Sequence, residues 1–492
     1  MHLSDFRIAE LELPENAEEI KVKSITSDSR KSSKDCMFVA VKGNYQDGHN
    51  FIDEAISAGA SNVLVDYKYK NDTKIPVSKA KNVRRALALI SAIYYNGQPD
   101  TIAAVTGTNG KTSVCSFLKQ IWEKSNFSTA SLGTLGLLTT PRFNSLKKIK
   151  DSLTTLDPVN LHSCISNLKL NGINRLALEA SSHGLEQHRL DGVKVSLACF
   201  TNLSHDHLDY HKSFEDYKYQ KFRLFKELLQ DGGSAIINID DKVSKELIKT
   251  IKDRNINIIT YGKSENADWK IDEILDIENY KTIKISAYGK SYIISTALNS
   301  RFHVENAVAA ACLSFASGIP IENSLHSIKD LKPPEGRMQE LISRKGTKIY
   351  IDFCHTPDAL KNILKEKSSN KSKIFLVIGC GGNRDIKKRK IIGKIASKYT
   401  FKTFVTNDNP RDESPEKIRA EILKGMLKYK NNLTGIENRK KAIKTAMKEA
   451  RAEDIVIIAG KGHEKYQIFK DKKIPHNDFE FCKSLIQNEN NQ

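Results

Sequence analysis

Short runs of apolar residues, separated by segments of helical periodicity, dominate the chain from residue 101 onward. "TIAAVT", "RLALEA", "VSLACFT" and "SAIINI" in the middle third, and "KIFLVIG", "TFVTND" and "DIVIIAG" in the last, are continuously apolar rather than alternating. That is the pattern of strands buried on both faces of a largely parallel sheet. Between the first two of these runs, Val114, Phe117, Leu118, Ile121 and Trp122 share one face of a predicted helix. Strands alternating with helices predict α/β layers whose ligands bind beyond the carboxyl ends of the strands. Two turn-rich breaks, "YYNGQPD" (94–100) and "DLKPPEGRMQE" (330–340), divide the chain into three predicted domains, 1–97, 98–331 and 332–492. The fold class expected is three-domain α/β: a small N-terminal unit, a central, mostly parallel sheet and a C-terminal Rossmann-like unit. "GQPD" and "KPPEG" are candidate hinges between them.

Composition narrows the picture. No run approaches eighteen apolar residues, and the first twenty residues lack a basic start followed by an apolar centre, so neither membrane insertion nor secretion is expected and the cytoplasm is. Eight cysteines are scattered without C-x-x-C spacing, which favours reduced thiols over a metal or redox site. The net charge of +19 admits a nucleic-acid partner. The lysine-rich stretches "SLKKIK", "DIKKRK" and "ENRKKAIK" lack interleaved aromatics, however, so solvated surface is the preferred reading and no nucleic acid is expected.

The clearest chemistry lies in Gly107-Thr108-Asn109-Gly110-Lys111-Thr112-Ser113, between a predicted strand and helix. Glycines let successive N–H groups converge on phosphate oxygens at a helix's positive end, Lys111 would neutralise the outer phosphates, and Thr112 would ligate Mg²⁺. Val105 stands where the full phosphate-loop pattern has its first glycine, and an ordinary glycine-rich turn is the plain alternative. Downstream, Glu179 ends a strand, and "TNLSHDHLDYH" crowds His205, Asp206, His207, Asp209 and His211 together. This loop is either a surface turn or, with Glu179, a site for Mg²⁺ beside ATP. Lys221 falls on the apolar helical face of Phe214, Tyr217, Leu224, Phe225 and Leu228. It either snorkels to the surface or is buried, which is costly unless it is paired or chemically altered.

Together with "YQKFRLF", "GRMQE", "DFCHTPDAL", "GCGGNRD", "DNPRDE" and "AGKGHEKYQ", these strings resemble the Mur ligases nearly end to end. The resemblance implies an ATP-dependent, amide-forming ligase of peptidoglycan precursor synthesis, working as a cytoplasmic monomer on small molecules. The acceptor would be UDP-N-acetylmuramoyl-L-alanyl-D-glutamate, activated as an acyl phosphate before an amine attacks. Residues 107–113 would bind ATP, with Thr112 and Glu179 at a first Mg²⁺ and His207 and Lys221, the lysine as its carbamate, at a second. Asn306 would approach the adenine, and Arg337, Asp352 and His355 would reach the nucleotide from the third domain. Ser29 would take the uridine end, and Thr154, Thr155, Ser181, Gln187 and Arg189 the rest of the acceptor. Here "SLTTLDP" departs from the family with Leu153 in place of asparagine.

In "DNPR", Asp408-Asn409-Pro410-Arg411, the family's signature for meso-diaminopimelate is complete. Arg411 could grip that molecule's distal carboxylate in bidentate fashion with Asn409 and Arg384 as donors, while Glu464 and the Gly460 carbonyl take its ammonium. An L-lysine-adding relative, a folylpolyglutamate synthetase, a basic nucleic-acid ATPase and a dinucleotide-binding protein built on "GCGGNRD" are the competing readings.

Overall fold

In the computed structural model the apolar runs become neighbouring strands. Structure is described for residues 1–8, 10–43, 46–70, 72–143, 146, 153–204, 210–277, 280–368, 372–426 and 433–488. Val195–Phe200, Thr101–Thr106, Arg175–Glu179 and Thr129–Gly133 lie side by side and parallel. They form part of a ten-stranded central sheet that continues through Leu229–Asn238 and Asn257–Gly262. The helices Lys111–Lys124 and Arg301–Ala316 cover one face with Val114, Phe117, Ile121, Val304 and Val308, and Pro158–Leu170 covers the other with Leu161 and Ile165. The outer end of this sheet departs from the parallel expectation. Trp269–Ile277, Tyr280–Ala287 and Lys290–Thr296 form an antiparallel meander, and the middle strand buries alternate residues because its other face meets solvent.

A six-stranded sheet occupies residues 339–459, with Lys348–Asp352, Ile455–Ala459, Ile374–Ile378 and Lys402–Val405 parallel and adjacent. A five-stranded sheet occupies residues 11–80. All three are α/β layers; the sequence pattern predicts this for the second and third in chain order, and the expected fold class for the first as well. The first layer docks on the segment after Arg175–Glu179: Arg85 Nε donates to Asp191 Oδ1 at 3.2 Å, and Arg84 Nη1 to Gln187 Oε1 at 3.5 Å. All eight cysteines are free. Among the described residues, no helix is long and apolar enough to cross a membrane.

One buried ion pair ties the last helix to the third sheet. Arg439 donates to Asp478 (2.8 and 2.7 Å) and to the carbonyl of Ala459 (3.0 Å), with both charged side chains sealed from solvent. Burial opposes ionisation of Asp478, but the Arg439 charge, its hydrogen bonds and His476 outweigh this and hold the carboxyl far below its ordinary value. A depressed carboxyl pKa stabilises the fold fully above the unfolded value of about 3.9 and loses that contribution as pH falls toward the native value. Asp478→Asn, which leaves Arg439 buried and unpaired, is expected to cost about 3 kcal/mol at pH 7. The difference in thermal unfolding between the two proteins should begin to shrink as pH falls below about 4 and vanish only near the far lower native value, and equal melting at neutral pH would contradict this account.

Candidate active site

The phosphate turn leaves the carboxyl end of Thr101–Thr106 in a conformation that only glycine accepts comfortably. Gly107 has φ +151°, and a Cβ there would lie 1.9 Å from Thr201 Oγ1; Gly110 has φ +92°, and a Cβ there would lie 2.5 Å from Asn306 Oδ1. The turn is laced to the segment after the neighbouring strand: Asn109 N donates to Asn202 Oδ1 at 2.9 Å, and Thr201 Oγ1 donates to the Asn109 carbonyl at 2.6 Å. Thr108 Oγ1 shares a hydrogen bond with the Tyr217 hydroxyl at 2.9 Å. Helix Lys111–Lys124 then begins with no side chain capping its first turn, and with Thr112 and Ser113 buried. A glycine cradle, a lysine and an uncapped helix N-terminus fit a nucleotide's phosphates.

Two lysines converge on one oxygen of this turn. Lys111 Nζ donates to the Gly107 carbonyl at 2.7 Å and to that of Thr108 at 3.0 Å, and Lys221 Nζ donates to the same Gly107 carbonyl at 2.8 Å. Lys221 is 1% exposed and lies 4.6 Å from the Tyr217 ring centroid, so it does not snorkel to the surface. Helix Phe214–Arg223, which passes directly into a π-helical turn at Leu224–Leu228, carries it inward on the predicted apolar face.

The third sheet closes over the turn. Arg337 Nη2 donates to Thr112 Oγ1 at 3.2 Å, its guanidinium lies 4.4 Å from the Phe353 ring, and burial pushes its pKa down. Asp352 accepts from the backbone of Met338 and of Cys354, both at 2.7 Å, and so fixes the loop that carries Arg337. His355 Nδ1 lies 3.0 Å from the Phe353 carbonyl. Thr356, which the sequence reading passed over, donates to Asn109 Oδ1 at 3.5 Å. Its place ahead of a proline-initiated helix in "HTPDAL" marks it as a cap, and it does accept from Ala359 N.

Glu179 is the last residue of its strand and is 2% exposed. Thr134 grips both its oxygens, through N to Oε1 at 2.9 Å and through Oγ1 to Oε2 at 3.0 Å, and also contacts Thr154 Oγ1 at 3.1 Å. Thr155 Oγ1 donates to the Glu179 carbonyl at 2.9 Å and lies 3.0 Å from Ser181 Oγ. Arg189 donates to the Thr155 carbonyl at 2.6 Å and to Gln187 Oε1 at 2.7 Å, and Gln187 donates to the Tyr210 hydroxyl at 2.8 Å. The predicted acceptor-binding residues of the middle domain therefore form one network beside Glu179. Thr134 and Tyr210 join it without having been singled out by sequence. The His183 ring lies tilted by 38° with its centroid 3.9 Å from that of Tyr210, and burial, with the nearby His211, Arg189, Arg384 and Lys221, holds its pKa down at about 4.

His207 and its neighbours 205–209 lie outside the described residues, and among the described residues no cluster of three His, Cys, Asp or Glu could hold a metal ion. The hydroxyl of Thr112 and the carboxylate of Glu179 are hard oxygen donors of the kind Mg²⁺ takes. Ser29 belongs to the first layer, where its Oγ donates to Glu54 at 2.9 Å; among the described residues no hydrogen bond joins it to the network beside Glu179.

Loops after three adjacent strands of the third sheet assemble a second site. Arg411 (φ +52°) donates through Nη1 to the Gly382 carbonyl at 2.7 Å, and its pKa is pushed down by burial and then by Arg384. Gly460 (φ +109°) packs on Asp408, where a Cβ would lie 2.6 Å from Oδ2. Asn409 Nδ2 donates to Glu464 Oε2 at 2.8 Å. Lys461, another residue that sequence reasoning passed over, is fully buried and donates to Asn409 Oδ1 at 2.9 Å and to Glu464 Oε2 at 2.6 Å. One ammonium thus fixes both the amide and the carboxylate. Lys461→Met is expected to raise KM for the amine substrate about tenfold while leaving KM for the nucleotide nearly unchanged. Steady-state kinetics with each substrate varied in turn tests this, and equal rises would assign Lys461 a general structural role.

Residues 21–99, 105–314 and 336–462 match, in turn, the "Mur ligase family, catalytic domain", the "Mur ligase middle domain" and the "Mur ligase, glutamate ligase domain". The chain is 39% identical over 467 residues to the UDP-N-acetylmuramoyl-L-alanyl-D-glutamate–2,6-diaminopimelate ligase of Bradyrhizobium diazoefficiens, with 94% of each chain covered. Its counterpart in Rickettsia montanensis is 38% identical over 469 residues, covering 95% of this chain and 96% of that one. A solved structure of a ligase with the same described activity has a TM-score of 0.70 at 29% identity, over 100% of this chain and 99% of the other.

Proposed function

Because the chain belongs to the Mur ligase family, we propose that it uses ATP to join meso-diaminopimelate to the D-glutamate carboxylate of UDP-N-acetylmuramoyl-L-alanyl-D-glutamate. The reaction is ATP-dependent amide formation in peptidoglycan precursor synthesis. One observation carries the reading. Arg337 of the third sheet reaches Thr112 of the phosphate turn, while loops of the same sheet bring Arg411, Asn409 and Glu464 together. A third segment that reaches the phosphate turn and also carries this cluster supports a reading in which the amine is delivered to a carboxylate activated at that turn.

The residues divide the work. Segment 1–97, with Ser29, takes the uridine end; 98–331 holds the nucleotide and the muramoyl dipeptide through Thr154, Thr155, Ser181, Gln187 and Arg189; 332–492 supplies the amine site. Lys111, the helix N-terminus and Arg337 balance charge that builds on phosphoryl oxygens as the D-glutamate carboxylate attacks the γ-phosphate. Asn306, packed against Gly110, bounds the turn on the adenine side. Thr112 and Glu179 would hold one Mg²⁺, and His207 and carbamylated Lys221 a second, and the bound ions would supply Lewis-acid neutralisation of the phosphate oxygens. Amine attack on the acyl phosphate then expels phosphate. The protein works as a monomer in the cytoplasm.

Supplying ATP, Mg²⁺ and the UDP-linked dipeptide, then diaminopimelate or L-lysine separately, tests the assignment. Phosphate release is expected with diaminopimelate. Release with lysine alone would assign the chain to the lysine-adding relatives, and release with neither would sink the reading.

A further inference from the structure

The chain's positive charge is unevenly carried. Residues 332–492 hold 36 Lys and Arg against 20 Asp and Glu, a net +16 of the whole chain's +19. Part of that excess is ordered along one helix. Lys387–Tyr399 lies among Pro357–Lys367 and Pro415–Gly425 on one face of the third sheet, packing inward through Ile392 and Ala396. Its outward positions Lys387, Lys390, Ile391, Lys394 and Lys398 recur at three- and four-residue spacing and fall within an arc of about 100°. All five are exposed.

Among the described residues none of these four lysines enters an ion pair, although Glu416 of a flanking helix is also exposed. Ile391 is 46% exposed between them, with Ile386 and Phe401 exposed at the two ends of the helix. Arg389 on the inner side is clamped by Glu413 and Glu421 at 2.7 to 2.8 Å, so the face is rigidly mounted.

We propose that this face docks the protein on an anionic lipid surface, with the lysine ammoniums against headgroup phosphates and Ile391 entering the headgroup boundary. A basic stripe interrupted by exposed aliphatic side chains suits that boundary. Single-stranded nucleic acid would call for aromatic platforms among the cations; the five stripe positions include none, and the half-buried Tyr399 ring, 5.3 Å from Lys398 Nζ, and Phe401 lie only at its C-terminal end. A second copy of the chain would set like charge against like. The docking is peripheral and separate from the ligase chemistry, since none of these side chains belongs to either site.

The test is co-sedimentation of the full chain with vesicles of phosphatidylcholine alone or mixed with phosphatidylglycerol, at about 0.1 M salt and at several-fold higher salt. Binding is expected only to the anionic vesicles, weakening with salt. The double variant Lys390→Glu/Lys394→Glu should bind at least about tenfold more weakly, and Ile391→Ser several-fold more weakly, both with unchanged phosphate release in solution. No binding to anionic vesicles, or equal binding by the double variant, would overturn the proposal. Undiminished binding by Ile391→Ser, with equal retention on soluble heparin, would assign the face to polyanions in general and overturn the lipid assignment. Ligase activity, measured on the same samples, reports separately on the catalytic reading.

Discussion

Lys221→Ala is expected to lower kcat by about a thousandfold, and short carboxylic acids such as acetate or formate to restore part of it. The argument starts from burial. Lys221 is sealed inside and shares the Gly107 carbonyl with Lys111, so two ammonium groups would converge on one oxygen. Like charges so placed oppose one another, and desolvation adds to the cost. Addition of the neutral amine to carbon dioxide would form an N–C bond and release a proton, leaving a carbamate anion in place of a cation. That anion would attract Lys111 and could face a metal ion at the phosphate turn. Alanine would remove it but leave space that a small carboxylate can enter. Turnover of the variant within a few-fold of wild type would refute the carbamate. So would wild-type turnover that is indifferent to removal of carbon dioxide and bicarbonate.

Much of this arrangement is legible in the sequence for a simple reason. Strands buried on both faces must be continuously apolar, so Thr101–Thr106, Ile374–Ile378 and Ile455–Ala459 announce themselves, and the polar residues that follow them mark the ligand-binding edge.

 The middle strand of the antiparallel meander is visible as alternation in "TIKISA" (282–287), but a parallel frame draws attention away from period two. Lys221 betrays itself by breaking an apolar face. Thr134, Tyr210, Thr356 and Lys461 do not, because each has a partner far along the chain, Thr134 in Glu179, Thr356 in Asn109 and Lys461 in Asn409, although Lys461 also meets Glu464 three residues on. Spacing along one segment carries no record of such pairings. Only the folded chain brings them within reach.

Arg411→Ala is expected to raise KM for diaminopimelate at least about thirtyfold while changing KM for ATP by no more than a few-fold. Arg411 is held in a left-handed backbone conformation by Ile468 and Lys470, whose main chains bond its N–H at 3.0 Å and its carbonyl at 2.8 Å. Its guanidinium is thereby aimed at the loop of Gly381 and Gly382. Burial and the neighbouring Arg384 both disfavour its charge, a cost that a substrate carboxylate would offset. Lysine has no distal carboxylate to do so, whereas diaminopimelate does, with its ammonium left for Glu464. Truncating one partner of a buried, charge-assisted pair costs on the order of 2–5 kcal/mol, about thirtyfold at its lower limit. Arg411→Lys keeps the charge but loses the planar fork, and should recover only part of the affinity. Because Arg337, not Arg411, meets the phosphate turn, the ATP side should be spared. Equal losses for both substrates would mean that Arg411 supports the third sheet as a whole rather than reading the amine.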